Sequence, residues 1–466
     1  MTKYCDNIQN SNHESNYIKG RTIMMISEKR KEMFMEPGIH VEDIQSQKLQ
    51  KQLDYIFGNS KFYQNKFKEL GIERSDIKEL TDLAKLPFTY KHEIRESQNI
   101  LPPLGSHAIV DMKEVIRVHS SSGTTGRPTY VGITRHDYDV WTEMLARAAY
   151  THGIRKESKV VFAMGLSFFV GSSFKDGIER LGATFIPIGT GASDRVIRSI
   201  IDFEADALFC TPSYASHLAE FVRKNYNMEP SELSIKLMSV GGEPGGGLPE
   251  VRKKIEQDWG CKVVEAMGNA DMAPVMFSEC QEQKGMHFIG SDYVICEIID
   301  PETGEVVPHS DRMEGELVYT AIDRECVPLV RFRTRDLVQV DTTPCKCGRR
   351  SFRLRCVGRT DDMLIVRGVN VFPSAIKDVV NSFRPKTTGE IRILLKEKPP
   401  LAESPLPIKV EYSKGLNENE KGALKKEIES VLRAKLFFTA DVQLVLEESL
   451  PRFEMKAKLT EDLYEK

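Results

Sequence analysis

Residues 120–134 read "SSSGTTGRPTYVGIT" and combine three serines, two threonines and two glycines in their first seven positions. Hydroxyls and backbone amides at this density can donate many hydrogen bonds to phosphate oxygens, and glycines let the backbone approach them closely. No Lys-Ser/Thr pair follows the second glycine, so the stretch is not the phosphate loop of kinases and GTPases. We therefore predict a strand, an oligophosphate-binding loop and a second strand; a plain polar hairpin turn is the alternative.

Short apolar runs that end in glycine or proline alternate with helical patterns after this loop. They occupy residues 160–164, 184–188 and 207–212, and "KLMSVGGEP" and "KVVEAMG" repeat the pattern. This alternation predicts βαβ units around a buried, largely parallel sheet. Ligands bind such sheets at the carboxyl ends of the strands, so we expect the active site at these glycine-bearing ends.

The pattern of the sequence changes twice toward the C-terminus. After about residue 292, apolar strands joined by polar turns predict antiparallel structure, a small β-barrel-like part of the large domain. From residue 358, a strand–strand–helix–strand pattern predicts a compact α+β unit. We therefore predict an α/β protein with a disordered tail at 1–22, a large N-terminal domain at 23–357 and a small C-terminal domain at 358–466.

The composition limits the partners of this protein. The 466 residues include 65 basic and 68 acidic side chains, for a net charge of −3, which gives no electrostatic case for nucleic acid or an anionic membrane. No run of about 18 apolar residues occurs, and the polar N-terminus lacks the apolar core of a signal peptide, so we expect a cytoplasmic protein. In a cytoplasmic protein, nine cysteines suggest free thiols or metal ligands instead of a disulfide framework.

Several separate motifs follow one another along the chain: "SSSGTTGRP", "GGEP", "RFRTRD", "GRTDD" with "RGVNVFP", and "PRFEMK". In this order they resemble the adenylate-forming superfamily, and within it the phenylacetate–CoA ligase branch, from about Leu86 to Lys456. The resemblance implies an enzyme that joins an aromatic, phenylacetate-like acid to coenzyme A. It also implies that the acid attacks the α-phosphorus of Mg-ATP, that pyrophosphate leaves, and that a mobile small domain rotates before the CoA thiol attacks the acyl-adenylate. Relatives further suggest a homodimer.

The resemblance assigns nucleotide-binding roles to matching residues. The departing pyrophosphate is assigned to Ser120, Ser121, Ser122, Gly123, Thr124, Thr125 and Gly126. Adenine is assigned to Gly241, Gly242, Glu243 and Pro244. Asp336 would accept both ribose hydroxyls, which suits a carboxylate, unless it only forms an ion pair with Arg333 or Arg335. Arg359 would lie near the phosphate or ribose, and Asp361 matches the hinge.

A lysine near the C-terminus matches the catalytic lysine of the family. It is Lys456 in "PRFEMKAKL", and the resemblance implies that it reaches from the small domain to the α-phosphate and the reacting carboxylate. A cation at that place would stabilise the charge that develops in the first half-reaction. Lys458 is the rival for this role.

One motif, "EAMGNADMAP", departs from the family pattern. Met267 replaces a tyrosine, whereas Gly268 is kept. Ala270 replaces a hydroxyl residue, and Asp271 replaces the magnesium-linked glutamate. Asp271 is shorter by one methylene but still offers the carboxylate oxygen that Mg²⁺ prefers, so we assign it a catalytic role, and we assign Gly268 and Asn269 to the nucleotide site. These changes bear on the substrate and the rate more than on the reaction class.

The segment "GLSFFVGSSFKDGIERLG" matches the acid-binding region of the family. Phe168 and Phe169 would pack against an aromatic acid or, alternatively, belong to the core. Lys175 faces solvent, as lysines usually do, or points inward toward a second acidic group of the substrate. Met267 would form another wall of this pocket.

Cysteines and a histidine form a second set of candidate ligands: Cys280 and His287 in "SECQEQKGMH", with Cys345 and Cys347 in "TPCKCGRR". Three thiolates and an imidazole suit tetrahedral Zn²⁺. Some members of the resembled branch carry zinc at matching positions, which implies a structural site with all four positions filled by protein. Cys356 is an alternative ligand, and ordinary buried thiols are the alternative to a metal site.

Two other functions stay open at this point. The chain could pass the acyl group to the phosphopantetheine of a carrier protein instead of CoA. It could also be a nucleotide-binding relative that lost turnover through the changes at Met267, Ala270 and Asp271, although Asp336, Lys456 and the carboxylate retained at Asp271 argue against this.

Overall fold

The computed structural model describes residues 41–121, 129–166, 170–367, 369–452 and 458–464. The predicted tail at 1–22 lies outside them. The helices α1 to α10 of the described residues span Val41–Asn59, Lys61–Glu69, Lys91–Ile100, Arg135–His152, Phe174–Leu181, Ser193–Phe203, Pro212–Tyr226, Pro249–Trp259, Pro373–Asn381 and Glu418–Leu436. Within this part of the chain, no helix has the length and apolar character needed to cross a membrane.

The strands β1 to β20 alternate with these helices. They span Arg117–Ser120, Tyr130–Ile133, Lys159–Phe162, Thr184–Pro187, Ala207–Cys210, Leu237–Gly241, Lys262–Asn269, Ala273–Glu279, Met286–Phe288, Val294–Ile299, Arg312–Ala321, Phe332–Asp341, Arg353–Arg359, Leu364–Val366, Val369–Val371, Thr387–Leu395, Leu401–Ala402, Leu406–Tyr412, Ala440–Leu446 and Thr460–Asp462.

One mixed sheet of eleven strands organises the large domain, in the order β10-β11-β12-β13-β9-β8-β7-β6-β5-β3-β4. Strands β4, β3, β5, β6 and β7 are parallel, which confirms the strands predicted from the apolar runs. Side chains of β5 alternate between two cores: Leu208 and Cys210 pack into one, and Ala207 and Phe209 into the other. Burial on both faces explains why this strand is apolar without alternation.

The antiparallel strands continue the same sheet. β8 pairs antiparallel with β7 and β9, and β13 then joins β9 to β12. The antiparallel part was predicted to begin after about residue 292, whereas it begins earlier, at Ala273 in β8. Strand β7 is therefore the place where the sheet changes from parallel to antiparallel, and its carboxyl end is a favoured position for a ligand site.

The opening stretch of the sequence forms the predicted pair of strands. β1 and β2 pair antiparallel as a separate two-stranded sheet, and residues 122–128 between them lie outside the described residues. Helix α4 begins directly after β2 with a capping box, in which the side chains of Thr134 and Asp137 each accept the other's backbone amide. Because α4 is buried along most of its length, it fixes the exit of the loop against the core.

The small domain has its own sheets and core. Strands β19-β18-β16-β20 form a four-stranded sheet, and β15-β14-β17 form a three-stranded one. Side chains such as Ile393, Val410 and Ile428 are buried between the larger sheet and the helices α9 and α10. The order β16, β18, α10, β19 matches the predicted α+β pattern. Strand β13 runs through Arg359, so the predicted boundary at 358 falls inside a strand and stays a prediction.

Candidate active site

Asp271 lies in the turn between β7 and β8, where the sheet changes direction. A side chain at position 268 has no room, because a Cβ there would lie 2.1 Å from the carbonyl oxygen of Pro274, so glycine is required. The Oδ1 atom of Asn269 accepts a hydrogen bond from the Asp271 amide at 3.0 Å. These two residues fix the turn and place the Asp271 carboxylate, which is only 6% exposed.

Lys91, the first residue of α3, forms an ion pair with Asp271. Its Nζ lies 2.5 Å from both carboxylate oxygens and 2.5 Å from the hydroxyl of Thr129. Burial lowers the pKa of the Lys91 ammonium, and Asp271 opposes that effect. Lys91 could not be predicted from the sequence as a site residue, because a lysine at the start of a helix ordinarily faces solvent.

The two ends of the predicted phosphate loop meet beside this ion pair. The Ser121 amide donates to the Thr129 carbonyl at 3.0 Å, and the two hydroxyls lie 2.9 Å apart. Thr129 in turn donates its hydroxyl to Asp271 at 3.0 Å. Ser120 and Ser121 are buried at the start of the loop. Ser122, Gly123, Thr124, Thr125 and Gly126 lie outside the described residues.

The predicted adenine segment follows β6 on the neighbouring strand. Gly241 ends β6, and Gly242 adopts a left-handed backbone with φ of +84°, which glycine tolerates best. The Glu243 carboxylate accepts a hydrogen bond from the Ser213 amide at 2.8 Å, and Pro244 lines the space between the two domains. The parallel pairing of β6 with β7 therefore places the adenine segment next to the turn that carries Asp271.

The predicted ribose carboxylate and hinge residue share one arginine. Arg359 donates to Asp336 at 2.7 Å and binds both carboxylate oxygens of Asp361 at 2.9 Å. Burial raises the pKa of the Asp336 carboxyl, and Arg359 opposes it. The alternative for Asp336, a surface ion pair with Arg333 or Arg335, does not occur among the ion pairs of the described residues, since Arg333 binds Glu316 instead. Arg359 thus links the candidate ribose site to the candidate hinge.

The residues predicted for the acid pocket lie in different environments. Phe168 and Phe169 are outside the described residues. Lys175 is exposed on α5, which favours the solvent-facing alternative. Phe174, from the same motif, packs against Phe162 and Phe209 and belongs to the core. Partly buried Met267 also packs against a hydrophobic core.

Arg324 is a second residue beside the site that the sequence pattern does not indicate. It is 5% exposed, its Nη1 donates to the Met272 carbonyl, and its guanidinium lies 5.0 Å from the centre of the Trp141 ring. Its Nε and Nη2 atoms are buried without a hydrogen-bond partner among the described residues. Arg324 therefore holds the residue next to Asp271, a role that "AIDREC" alone does not indicate.

Cys280, His287, Cys345 and Cys347 converge as the sequence predicted. Their ligand atoms all lie within 4.8 Å of one another in a largely buried cluster. The Cys280 and Cys345 sulfurs are 3.8 Å apart, and the Cys347 sulfur is 3.3 Å from Nε2 of His287. Nδ1 of His287 lies 3.2 Å from the Ser351 carbonyl, which leaves Nε2 directed at the thiols.

The predicted catalytic Lys456 lies outside the described residues, but the chain on both sides is described. Arg452 binds Glu411 at 2.7 Å and Glu220 of the large domain at 3.3 Å. Lys458, the rival lysine, is exposed and pairs with Asp462 at 2.8 Å. Strand β20 then pairs parallel with β16 at the edge of the small sheet. The segment between Arg452 and β20 is therefore anchored at both ends.

Comparison with known families identifies the class of this protein. A family model described as "AMP-binding enzyme" matches residues 40–321, and one described as "AMP-binding enzyme C-terminal domain" matches residues 368–463. The chain belongs to the AMP-binding enzyme family, which confirms the resemblance seen in the motifs.

Within this family the chain is similar to phenylacetate-coenzyme A ligases. The Escherichia coli (strain K12) enzyme is 33% identical over 428 residues, which are 91% of this chain and 95% of that protein. The Pseudomonas putida enzyme is 39% identical over 338 residues, 72% of this chain and 74% of that protein.

Crystal structures of 2-hydroxyisobutyryl-CoA ligase share the fold. Its complex with 2-HIB-AMP in the postadenylation state gives a TM-score of 0.84 at 31% identity, covering 91% of this chain and 90% of that chain. Its complex with 2-HIB-AMP and CoA in the thioesterification state gives 0.67 at 32% identity, covering 92% and 91%. The arrangement of this chain is therefore more similar to the postadenylation structure.

Proposed function

We infer that this chain is an AMP-forming acid–thiol ligase, which joins a carboxylic acid to coenzyme A through an acyl-adenylate. The observation that carries the inference is the meeting of the phosphate-loop ends, Ser121 and Thr129, with the Asp271 carboxylate at the turn after β7. A site that places an oligophosphate-binding loop, an adenine segment and a metal-binding carboxylate side by side suits attack on the α-phosphorus of ATP.

The reaction has two half-reactions in one site. In the first, a carboxylate oxygen of the acid attacks the α-phosphorus of ATP, and the bond to pyrophosphate breaks. In the second, the thiol sulfur of CoA attacks the acyl carbon, AMP leaves, and the thiol proton is released. We assign the loop from Ser120 to Gly126 to pyrophosphate, the segment at Glu243 to adenine, Asp336 to ribose, and Lys456 to the charge that develops in the first step.

The acid that we propose is aromatic and similar to phenylacetate. The support is that the curated relatives are phenylacetate-CoA ligases, which match up to 91% of this chain. The structural relative acts instead on 2-hydroxyisobutyrate, a small aliphatic acid, at a similar identity of 31%. The exposed Lys175 gives no support for a second acidic group on the substrate.

A pyrophosphate-release screen with and without CoA tests this proposal. The panel is phenylacetate, hydroxylated phenylacetates, benzoates, indole-acetate and 2-hydroxyisobutyrate. We expect release with phenylacetate-like acids and a free CoA thioester as the product. Release without any CoA thioester would favour transfer to a carrier protein, and no release with any acid would favour a nucleotide-binding relative.

Magnesium is part of the proposed site. Its proposed ligand is Asp271, which forms an ion pair with Lys91. Asp271 offers two buried carboxylate oxygens beside the Thr129 hydroxyl, and such oxygen donors suit Mg²⁺. When bound there, Mg²⁺ would neutralise phosphate charge at the start of the reaction. The Lys91 ammonium contacts the same two oxygens and therefore competes with the metal for them.

This competition gives a prediction for Lys91→Met. The Mg²⁺ concentration that gives half-maximal pyrophosphate release should fall about tenfold, because the cation that competes for Asp271 is removed. Lys91→Arg, which keeps the positive charge, is the matched control and should change this concentration much less. An unchanged or higher Mg²⁺ requirement in Lys91→Met would contradict the shared site.

We also propose a structural zinc at Cys280, His287, Cys345 and Cys347. A tetrahedral site with Zn–S bonds of about 2.3 Å places two sulfurs about 3.8 Å apart, and Cys280 and Cys345 are 3.8 Å apart. All four positions are supplied by protein, so the metal would tie the segment 345–347 to strand β9 and leave no position for a substrate.

Metal analysis of purified protein should find about one zinc per chain. Cys345→Ser should reduce this to less than half and lower the melting temperature by about 5 °C, because the loss of one thiolate weakens the whole cluster. Cys356→Ser is the matched control: its thiol bonds to the Gly358 carbonyl outside the cluster, and its zinc content should stay unchanged. Less than half a zinc per wild-type chain would refute the site.

The remaining parts of the proposal concern the whole molecule. We propose the boundary between the two domains near residue 358, with Asp361 as the hinge, which the separate sheets of the small domain support. We also propose a cytoplasmic location, where ATP and CoA are available, and a homodimer, which rests on the resemblance alone.

A further inference from the structure

Helix α8 of the large domain begins without a cap of its own. Its N-cap residue is Leu248, whose side chain offers no hydrogen-bond acceptor, and Pro249 is the first helical residue. The amides of the first turn have no acceptor within a helix, and a side-chain oxygen normally satisfies them. Any protein acceptor for these amides must therefore come from another part of the chain.

The small domain supplies that acceptor. Oδ1 of Asp378, in helix α9, accepts a hydrogen bond from the Glu250 amide at 3.0 Å, across 128 positions of sequence. The Glu250 and Val251 amides both lower the pKa of this carboxyl, although burial has the larger, opposite effect. A negative charge at this place also interacts favourably with the helix dipole of α8.

Other polar contacts across the same boundary are weaker or more exposed. Lys224 and Glu448 are 3.4 Å apart, with side chains 73% and 61% exposed, and such surface pairs contribute little. Arg452 reaches Glu220 at 3.3 Å. A cavity of about 40 Å³ lined by both domains, including Glu243 and Lys377, separates them beside the adenine segment. The hydrogen bond at the start of α8 is partly buried and, at 3.0 Å, shorter than either of these ion pairs.

We propose that Asp378 is a positioning residue for adenylation, which holds the small domain in the adenylating orientation by capping α8. This inference rests on the proposed two-step function, in which the small domain takes a second orientation for thioester formation. The greater similarity of this chain to the postadenylation structure than to the thioesterification structure agrees with it. Asp378 must release α8 before the second half-reaction, so it should favour the first step at the expense of the second.

The test compares the two half-reactions in Asp378→Ala. Acid-dependent pyrophosphate release measures the first, and CoA thioester formation from supplied acyl-AMP measures the second. We expect the ratio of the first rate to the second to fall about three- to tenfold. This is the change in an equilibrium that the loss of one helix cap typically causes. Asp378→Asn keeps a capping oxygen and should stay close to wild type.

Lys224→Ala, which removes the exposed pair across the same boundary, should leave the ratio unchanged. An unchanged ratio in Asp378→Ala would overturn the proposal, as would an equal fall in both rates together with a lower melting temperature. Asp378→Asn behaving like Asp378→Ala would also overturn it. Small-angle X-ray scattering of the substrate-free proteins should show a more open average shape for Asp378→Ala. This readout separates the proposal from the ligase function, because it holds even when no tested acid is activated.

Discussion

Replacing Asp271 with asparagine should reduce acid-dependent pyrophosphate release by about 10²- to 10³-fold. The carboxylate is buried in the turn after β7, and Lys91 and Thr129 contact it directly. Asparagine keeps the shape of the side chain but removes the charge that we propose for Mg²⁺, and it leaves the partly buried Lys91 ammonium without its counter-ion. Thioester formation from supplied acyl-AMP should fall much less, because pyrophosphate has already left.

Asp271→Glu is the matched control for this prediction. It keeps the charge and restores the methylene that glutamate has in the family pattern, so it should retain most of the activity. A stopped assay of pyrophosphate, run beside a thermal melt, distinguishes loss of chemistry from loss of folding. Near-normal release in Asp271→Asn would show that the metal or the phosphate charge is handled elsewhere.

Lys456→Ala should reduce adenylate formation about as strongly as Asp271→Asn does. Thioester formation from supplied acyl-AMP should stay within a few-fold of wild type. The physical reason is that a cation at the α-phosphate acts only while charge develops there, in the first half-reaction. A difference between the two half-reactions therefore identifies this role, whereas a general loss of stability would lower both.

Lys458→Ala provides the control, since Lys458 is exposed and already paired with Asp462. It should change neither half-reaction by more than a small factor. Measuring pyrophosphate exchange for both variants decides between the two lysines. If Lys458→Ala loses adenylation and Lys456→Ala keeps it, the catalytic lysine has been assigned to the wrong position.

The parallel strands β3 to β7 of the large sheet could be predicted from sequence because short apolar runs that end in glycine or proline are typical of buried strands. The four candidate zinc ligands could also be chosen, since residue type alone limits them. Their convergence depends on the pairing of β9 with β13, in which Arg353 lies opposite His287 and Leu354 opposite Met286, and no local sequence signal predicts this pairing. Residue type therefore identifies the four candidate ligands, whereas only the fold places them close together.

The partners of Asp271 could not be predicted in the same way. Lys91 lies 180 positions before Asp271, and a lysine at a helix start has no feature that separates it from solvent-exposed lysines. Arg324 is equally ordinary in sequence. The orientation of Lys175 depends on which face of α5 packs against the neighbouring elements, and Lys175 lies on the exposed face. Contacts between distant side chains are set by packing, which a single sequence does not display.

The anchors of the segment that carries Lys456 limit its reach. Arg452 is held by Glu411, and Lys458 is followed directly by strand β20, so at most about 20 Å of extended chain separates the two ends. The lysine that we propose as catalytic is therefore expected to move with the small domain. On the proposed two-step mechanism, the withdrawal of Lys456 and the rearrangement for CoA would be one movement, so the adenylating cation would not stay in place while the thiol attacks.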